Sequence, residues 1–423
     1  MLDVWDAPEA QIAPGSAATA AALDRASVTL GWLERPGLGL ATRARSVLVR
    51  TQAFGPVLVV ASVLAMILAA GFLAGRGNPT VFVHFGSQYV GATHPPRGAV
   101  IVRGSGYDGQ YFWALARDPL LLHHRTAAQV PSFRLQRIVY PALAYVLAAG
   151  RADALPWTLL AINVMTVLGL TAAFARYARG RGESGWWGLA VGLLPGLQFA
   201  TLADLSGVLA VALTLGGLMA WERERRWTAS GLLATAALTR EAMLLAVAAI
   251  AIEAIAQWWP RRRAPGALRR STQAVWPVLA LPATAFLTWQ AYLHLRQAPS
   301  ALPPLSAFQW PVLSLMRQAG RLLAGGLTVS NLWDLAYLAA ILAGIVAAVG
   351  LVRRRLTAPA VAAVLFGLMM LILSFGSDWG YTRESAPLFA TLLMGGLASR
   401  MRPAIAICVT VAALGVVIPF VVA

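Results

Sequence analysis

Lysine is missing from this chain of 423 residues, and cysteine occurs once, at position 408. Cys408 lies in an apolar run, which rules out an intrachain disulfide and any paired-cysteine redox motif. All 34 basic residues are therefore arginine, a bias that reflects coding composition more than mechanism. Acids are few, 17 in all, and the formal net charge is +17. The five histidines are scattered, with His123-His124 the one adjacent pair, and no HExxH or HxxxH spacing occurs. A zinc site is excluded on that ground. No Walker sequence and no GxSxG elbow is present, and no internal repeat suggests the inverted halves of a secondary transporter.

Charge as a whole is scarce. Charged residues make up 12% of the chain and hydrophobic ones 58%, with a mean hydropathy of +0.66. A soluble domain sits near about half apolar and about a quarter charged. Apolar runs long enough to cross a hydrocarbon core of roughly 30 Å recur along the chain. The composition predicts an all-α, polytopic transmembrane bundle. The high isoelectric point is no nucleic-acid signal, because the arginines fall mostly in short loops beside hydrophobic runs, as positive-inside sorting requires.

Residues 1–52 read as a cytoplasmic tail without a cleavable signal peptide, with arginines 35, 43, 45 and 50 ahead of the first span near 54–74. The transmembrane domain is expected over 53–423. Its first outer loop, 75–155, holds an apolar piece of about 13 residues (138–150) too short to cross, which reads as interfacial or re-entrant. Later spans are expected near 156–175, 184–201, 205–221, 274–294, 332–352, 359–376, 385–399 and 404–422. A further apolar stretch, 228–257, is broken at Thr239-Arg240-Glu241 and reads as a hairpin of two short helices. The total is about eleven membrane segments with the amino terminus inside, and a second outer loop at 296–330.

This topology places Arg134, Arg137, Arg317, Arg321 and Arg383 on the outer face, against the sorting rule. A planar guanidinium binds phosphate with two parallel hydrogen bonds and does not deprotonate. Such a cluster suits a phosphorylated lipid, while interfacial snorkelling is the plainer account of Arg134 and Arg137. Asp108 stands in Tyr107-Asp108-Gly109-Gln110-Tyr111-Phe112. A carboxylate among aromatics at a membrane surface can serve as a general base or hold Mg or Mn, or it can simply cap a helix. The glycines of 104–109 also spell GxGxxG, without the βαβ unit that would make it a nucleotide fingerprint. Asp204 begins a span, where an ionisable residue marks either function or a cap. Arg240 and Glu241 interrupt an apolar stretch, and being adjacent they face different ways. Asp378, Tyr381, Arg383 and Glu384 share one outer loop.

Taken together, Tyr107 to Phe112, Arg137-Ile-Val-Tyr140-Pro141, Pro195-Gly196 with Asp204, and Leu238-Thr239-Arg240-Glu241 resemble the GT-C superfamily of integral membrane glycosyltransferases. The nearer likeness is to bacterial polytopic members and PIG-V-like mannosyltransferases, over about residues 54–260. The resemblance implies a polyprenyl-phosphate sugar donor and a glycan, lipid or protein acceptor at the extracytoplasmic face of a bacterial plasma membrane. It makes Asp108 the first-loop catalytic acid, acting as base or metal ligand. Substrate-binding roles are then expected for Tyr107, Gln110, Tyr111, Arg134, Arg137, Tyr140, Asp204, Arg240, Glu241 and Arg383. The paired acids of many members are missing here, since the next acid is Asp118. Two other classes remain open: a transporter or flippase, and a lipid-linked glycan ligase or polymerase, for which His294 and Arg296 are the one hint.

Overall fold

A computed structural model describes residues 36–122, 130–261, 267–296, 308, 310, 312–326, 328–373 and 380–422. The chain divides into two units, 1–51 and 52–423. Helix α1, Pro36–Ala74, contains the boundary between them. Everything below concerns the second unit.

Helices dominate because uninterrupted apolar sequence in lipid satisfies its backbone groups within each segment. Among the described residues, four helical stretches are long and apolar enough to cross a membrane: Phe54–Ala74, Leu155–Arg179 (α4), Glu241–Trp258 and Val329–Arg354 (α12). Shorter apolar helices are α7 (Gly207–Glu222), α13 (Ala358–Ile372) and the stretch Arg402–Val416. The other long elements are α8 (Arg226–Thr239), α9 (Leu244–Trp258), α10 (Ala267–Leu295), α15 (Ala386–Ser399) and α16 (Arg402–Val422). The described chain is thus mostly helical, with several helices of a length and apolarity that suit a membrane.

The expected break at Thr239-Arg240-Glu241 appears, but the stretch 184–201, expected as a single span, is broken as well. The run 184–201 splits into α5 (Trp187–Gly192) and α6 (Pro195–Leu202), with Pro195 opening the second piece. Proline lacks the N–H that would continue the first helix. At Arg240 the backbone is extended (φ −162°, ψ 122°), which ends α8 before a single 3₁₀ turn leads into α9. Arg181 donates to Glu222 at 2.6 Å, joining the carboxyl ends of α4 and α7. Those two helices therefore run parallel, and the broken α5–α6 pair returns the chain between them.

The first loop is built of short pieces. Two residue pairs, β1 (Phe85–Gly86) and β2 (Ile101–Val102), form a parallel ladder. Helices α2 (Gly109–Arg117) and α3 (Val139–Leu147) follow, each of nine residues. At about 1.5 Å per residue neither can cross a bilayer, and α3 is as short as the sequence implied. Long-range bonds tie this loop to α10: the Trp289 indole donates to the Leu135 carbonyl at 3.1 Å, and Gln290 to Gln136 at 3.0 Å. The stretch 296–330, expected as a second outer loop, contributes α11 (Leu313–Ala324), and Gly380–Glu384 forms the short α14.

Candidate active site: an arginine cluster at the mouth of an apolar groove

The loop leading to Asp108 is shaped by glycine. Gly106 has φ +66°, and a Cβ there would lie 2.4 Å from the Gly86 nitrogen. A Cβ on Gly109 would meet the carbonyl oxygens of Ala203 and Val83 at 2.6 and 2.7 Å. The GxGxxG spacing therefore serves close backbone approach, with no nucleotide fold around it. Gln110 fixes the turn further, accepting from the Gly86 N–H at 3.1 Å and donating to the Ser105 carbonyl at 2.8 Å.

Asp108 stands at the N-cap position of α2 but makes no side-chain cap hydrogen bond. Its carboxylate turns instead to two arginines. Arg134 donates to one oxygen at 2.5 Å and Arg383 to the other at 3.2 Å. Arg383 continues to Glu384 through two nitrogens at 2.8 and 3.0 Å, and Arg240 also donates to Glu384. Beside this chain, Arg137 grips Glu241 with two bonds, 2.9 and 2.5 Å. Aromatic faces hold the guanidiniums in place: Arg134 lies 4.8 Å from the Tyr111 ring centroid and 4.5 Å from that of Phe133, and Arg383 lies 5.5 Å from Tyr107.

Four arginines and three carboxylates thus share one site, an excess of one positive charge. Burial pushes the Asp108 carboxyl up, but Arg134 and then Arg383 outweigh it and hold it well below the usual carboxylate range. For Glu384 the same contest between burial and the paired Arg240 and Arg383 ends at about 2. Burial raises the Tyr111 phenol to about 12, so it stays protonated.

The cluster caps a cavity of about 1330 Å³. One side of it is polar, with Tyr107, Asp108, Arg134, Arg137, Arg240, Glu241, Arg383 and Glu384. The other is apolar, formed by Leu244, Leu245 and Ala248 of α9 and by Leu365, Leu368, Met369 and Ile372 of α13. Leu368 and Ile372 on this wall are 49% and 38% exposed.

Nine of the expected site residues line the cavity: Tyr107, Asp108, Gln110, Tyr111, Arg134, Arg137, Arg240, Glu241 and Arg383. Tyr140 and Asp204 do not. Both are fully buried behind the wall. The Tyr140 hydroxyl donates to the Leu159 carbonyl at 3.0 Å and accepts from Asn163 at 2.9 Å, fastening α3 to α4. Neither Asp204 oxygen has a hydrogen-bond partner, which removes the capping role along with direct substrate contact. Snorkelling is replaced by inward ion pairs at Arg134 and Arg137. Arg317 and Arg321 lie away from the cavity, on α11. Asp378 and the His123-His124 pair fall outside the described residues. Arg296 is engaged by the Leu121 carbonyl at 2.6 and 3.1 Å, and His294 is exposed on α10, which removes the ligase hint.

The metal role expected of Asp108 does not fit. Asp118, the next acid, accepts from the Leu122 N–H at 2.9 Å in its own turn, away from the cavity. Among the described residues no group of three His, Cys, Asp or Glu could hold a metal ion. Each carboxylate here is bound by guanidinium, and a divalent cation would enter a region already in positive excess.

Glu384 is the partner that reading the site from sequence passed over. It stands next to Arg383 in a polar loop, but its link to Arg240 spans 144 positions and carries no local pattern. Comparisons with protein-family models, with curated proteins and with solved structures find no match to this chain.

Proposed function

We propose that this protein is a membrane glycosyltransferase of the GT-C kind, moving a sugar from a polyprenyl-phosphate donor to an acceptor hydroxyl. The observation that carries the reading is the cavity's two-sided character: four guanidiniums interleaved with three carboxylates, continuous with an apolar groove between α9 and α13. A phosphate monoester or diester attached to an isoprenoid chain matches both halves. The single excess positive charge suits one phosphodiester charge, and burying an unmatched second charge would be costly.

In this reading the remaining helices complete a bundle of about eleven membrane segments, with the site at the extracytoplasmic end. Arginines 176, 179 and 181 at the carboxyl end of α4 mark the cytoplasmic side. The cluster lies opposite, with the Arg240 guanidinium beside Gly207 at the amino end of α7. The groove's exposed edge, at Leu368 and Ile372, admits the lipid tail from the bilayer.

The chemistry balances without a metal. The acceptor oxygen attacks the sugar's anomeric carbon, the bond from that carbon to the phosphate oxygen breaks, and its electron pair leaves with the phosphate. Asp108 takes the acceptor proton and returns it to the departing lipid phosphate. Arg134 and Arg383 neutralise the charge that grows on the leaving group. The acceptor is a glycan, lipid or protein hydroxyl, and the anomeric configuration inverts in this single displacement.

A transporter or flippase predicts a polar path through the midplane. The polar residues here gather at one end and the groove beyond them is apolar, which favours transfer over transport. Incubating purified protein with polyprenyl-phosphate sugars tests the choice. Liberated lipid phosphate supports transfer, whereas uncleaved donor moving between the leaflets of a liposome supports transport.

A further inference from the structure

Asp108 is asked to accept a proton while both of its oxygens are bound to arginine. Arg134 and Arg383 are asked to bind phosphate while both are bound to Asp108. A salt-bridged carboxylate is a poor base, and an engaged guanidinium is a poor anion ligand. The site as built is closed on both counts.

The neighbours offer no substitute pair. Arg137 is held by Glu241 through two bonds, and Arg240 is held by Glu384. What can give way is the Asp108 end. The Arg383 Nη1 contact with Asp108, at 3.2 Å, is the longest in the cluster. Arg383 keeps Glu384 through its other two nitrogens, so releasing Asp108 leaves it oriented and charge-paired. Arg134 stays in place on the faces of Tyr111 and Phe133. Both arginines are therefore positioned to exchange one anion for another without rebuilding.

We propose that Asp108 and the donor's phosphate compete for Arg134 and Arg383, so that donor binding displaces the carboxylate and frees it as a base only in a loaded site. The inference rests on the lipid-phosphate reading of the cavity and deepens it. Once displaced, Asp108 faces a bound anion in place of two cations. Like charge nearby makes a carboxylate more basic. Arg137, Glu384 and Tyr107 surround this exchange and are unchanged by it. The empty enzyme then holds its base and its phosphate ligands in mutual check.

The test is equilibrium binding of methyl farnesyl phosphate, a phosphodiester with one charge, to detergent-purified full-length protein by calorimetry. Competition predicts that Asp108→Asn and Asp108→Ser, though inactive in transfer, bind the probe at least about tenfold tighter than wild type, the scale of one charge-assisted contact. Asp153→Asn removes one negative charge from the exposed Arg151–Asp153 pair and leaves every ion pair of the cluster intact, and it is expected to tighten binding by no more than about threefold, the scale of a screened surface charge. Equal or weaker binding by the Asp108 variants overturns the exchange. So does an Asp153→Asn gain as large as theirs, which would mean bulk charge alone. Probe that binds neither wild type nor any variant overturns the lipid-phosphate reading itself, and the exchange with it.

Discussion

Arg137 and Glu241 lie 104 positions apart and meet in a two-pronged ion pair of 2.9 and 2.5 Å. The pair joins the first loop to the break between α8 and α9. Its arginine side chain is 9% exposed and its acid 23%. Removing one member of such a pair strands a charge, while removing both can cost little. We expect Arg137→Met to destabilise the protein by about 3 kcal/mol, and the double variant Arg137→Met/Glu241→Leu to recover most of that loss. Thermal unfolding in detergent, run as a double-mutant cycle, checks both.

Arg383 touches both acids of the central chain, so its loss is felt in turnover more than in folding. Arg383→Gln is expected to lower kcat by about a hundredfold, the scale for removing one donor to a developing anion. Arg383→Lys keeps the charge but not the fork and should recover only a small part. Measured kcat near wild type in Arg383→Gln would remove it from the leaving-group site.

Tyr111 serves through its ring, since burial keeps its phenol protonated with a pKa pushed up to about 12. Tyr111→Phe preserves the face under Arg134 and should leave activity within a few-fold. Tyr111→Ala frees Arg134 and should cost about thirtyfold, in line with roughly 2 kcal/mol for a desolvated cation–π contact. Activity that falls equally in both variants would assign the role to the hydroxyl.

Acid stability follows from the depressed carboxyls. Glu384 drops from 4.5 to about 2 in the folded protein, and Asp108 is depressed as well. A depressed folded value contributes stability that is fully present above the unfolded value and is lost as pH falls through the folded one. Thermal stability should therefore be insensitive to these groups at neutral pH and decline between about 4.5 and about 2. Glu384→Gln should start lower and show a shallower acid slope, as read from unfolding temperature against pH.

The apolar helices, the break at Arg240 and most of the cavity residues were legible in the sequence for local reasons. Apolar run length and the charged Arg240-Glu241 interruption each act within a few residues, whereas the break at Pro195 fell inside a stretch read as one span. The cluster's arginines stood out because the expected topology set them against a sorting rule. Partner choice was not legible. Asp108 pairs with Arg383 across 275 positions, and nothing near either residue announces it. Asp204 and Tyr140 misled because an acid or tyrosine beside a span looks the same whether it lines a cavity or lies behind its wall. Asp108 looked like a metal ligand or a cap until its two guanidiniums were placed.

The most direct test of the account measures lipid-phosphate release from a panel of polyprenyl-phosphate sugars by wild type and Asp108→Asn, with an acceptor mixture and with or without EDTA. The account predicts release by wild type that EDTA leaves unchanged, and loss of release in Asp108→Asn despite retained donor binding. Equal release by the two proteins, or release abolished by EDTA, would contradict it.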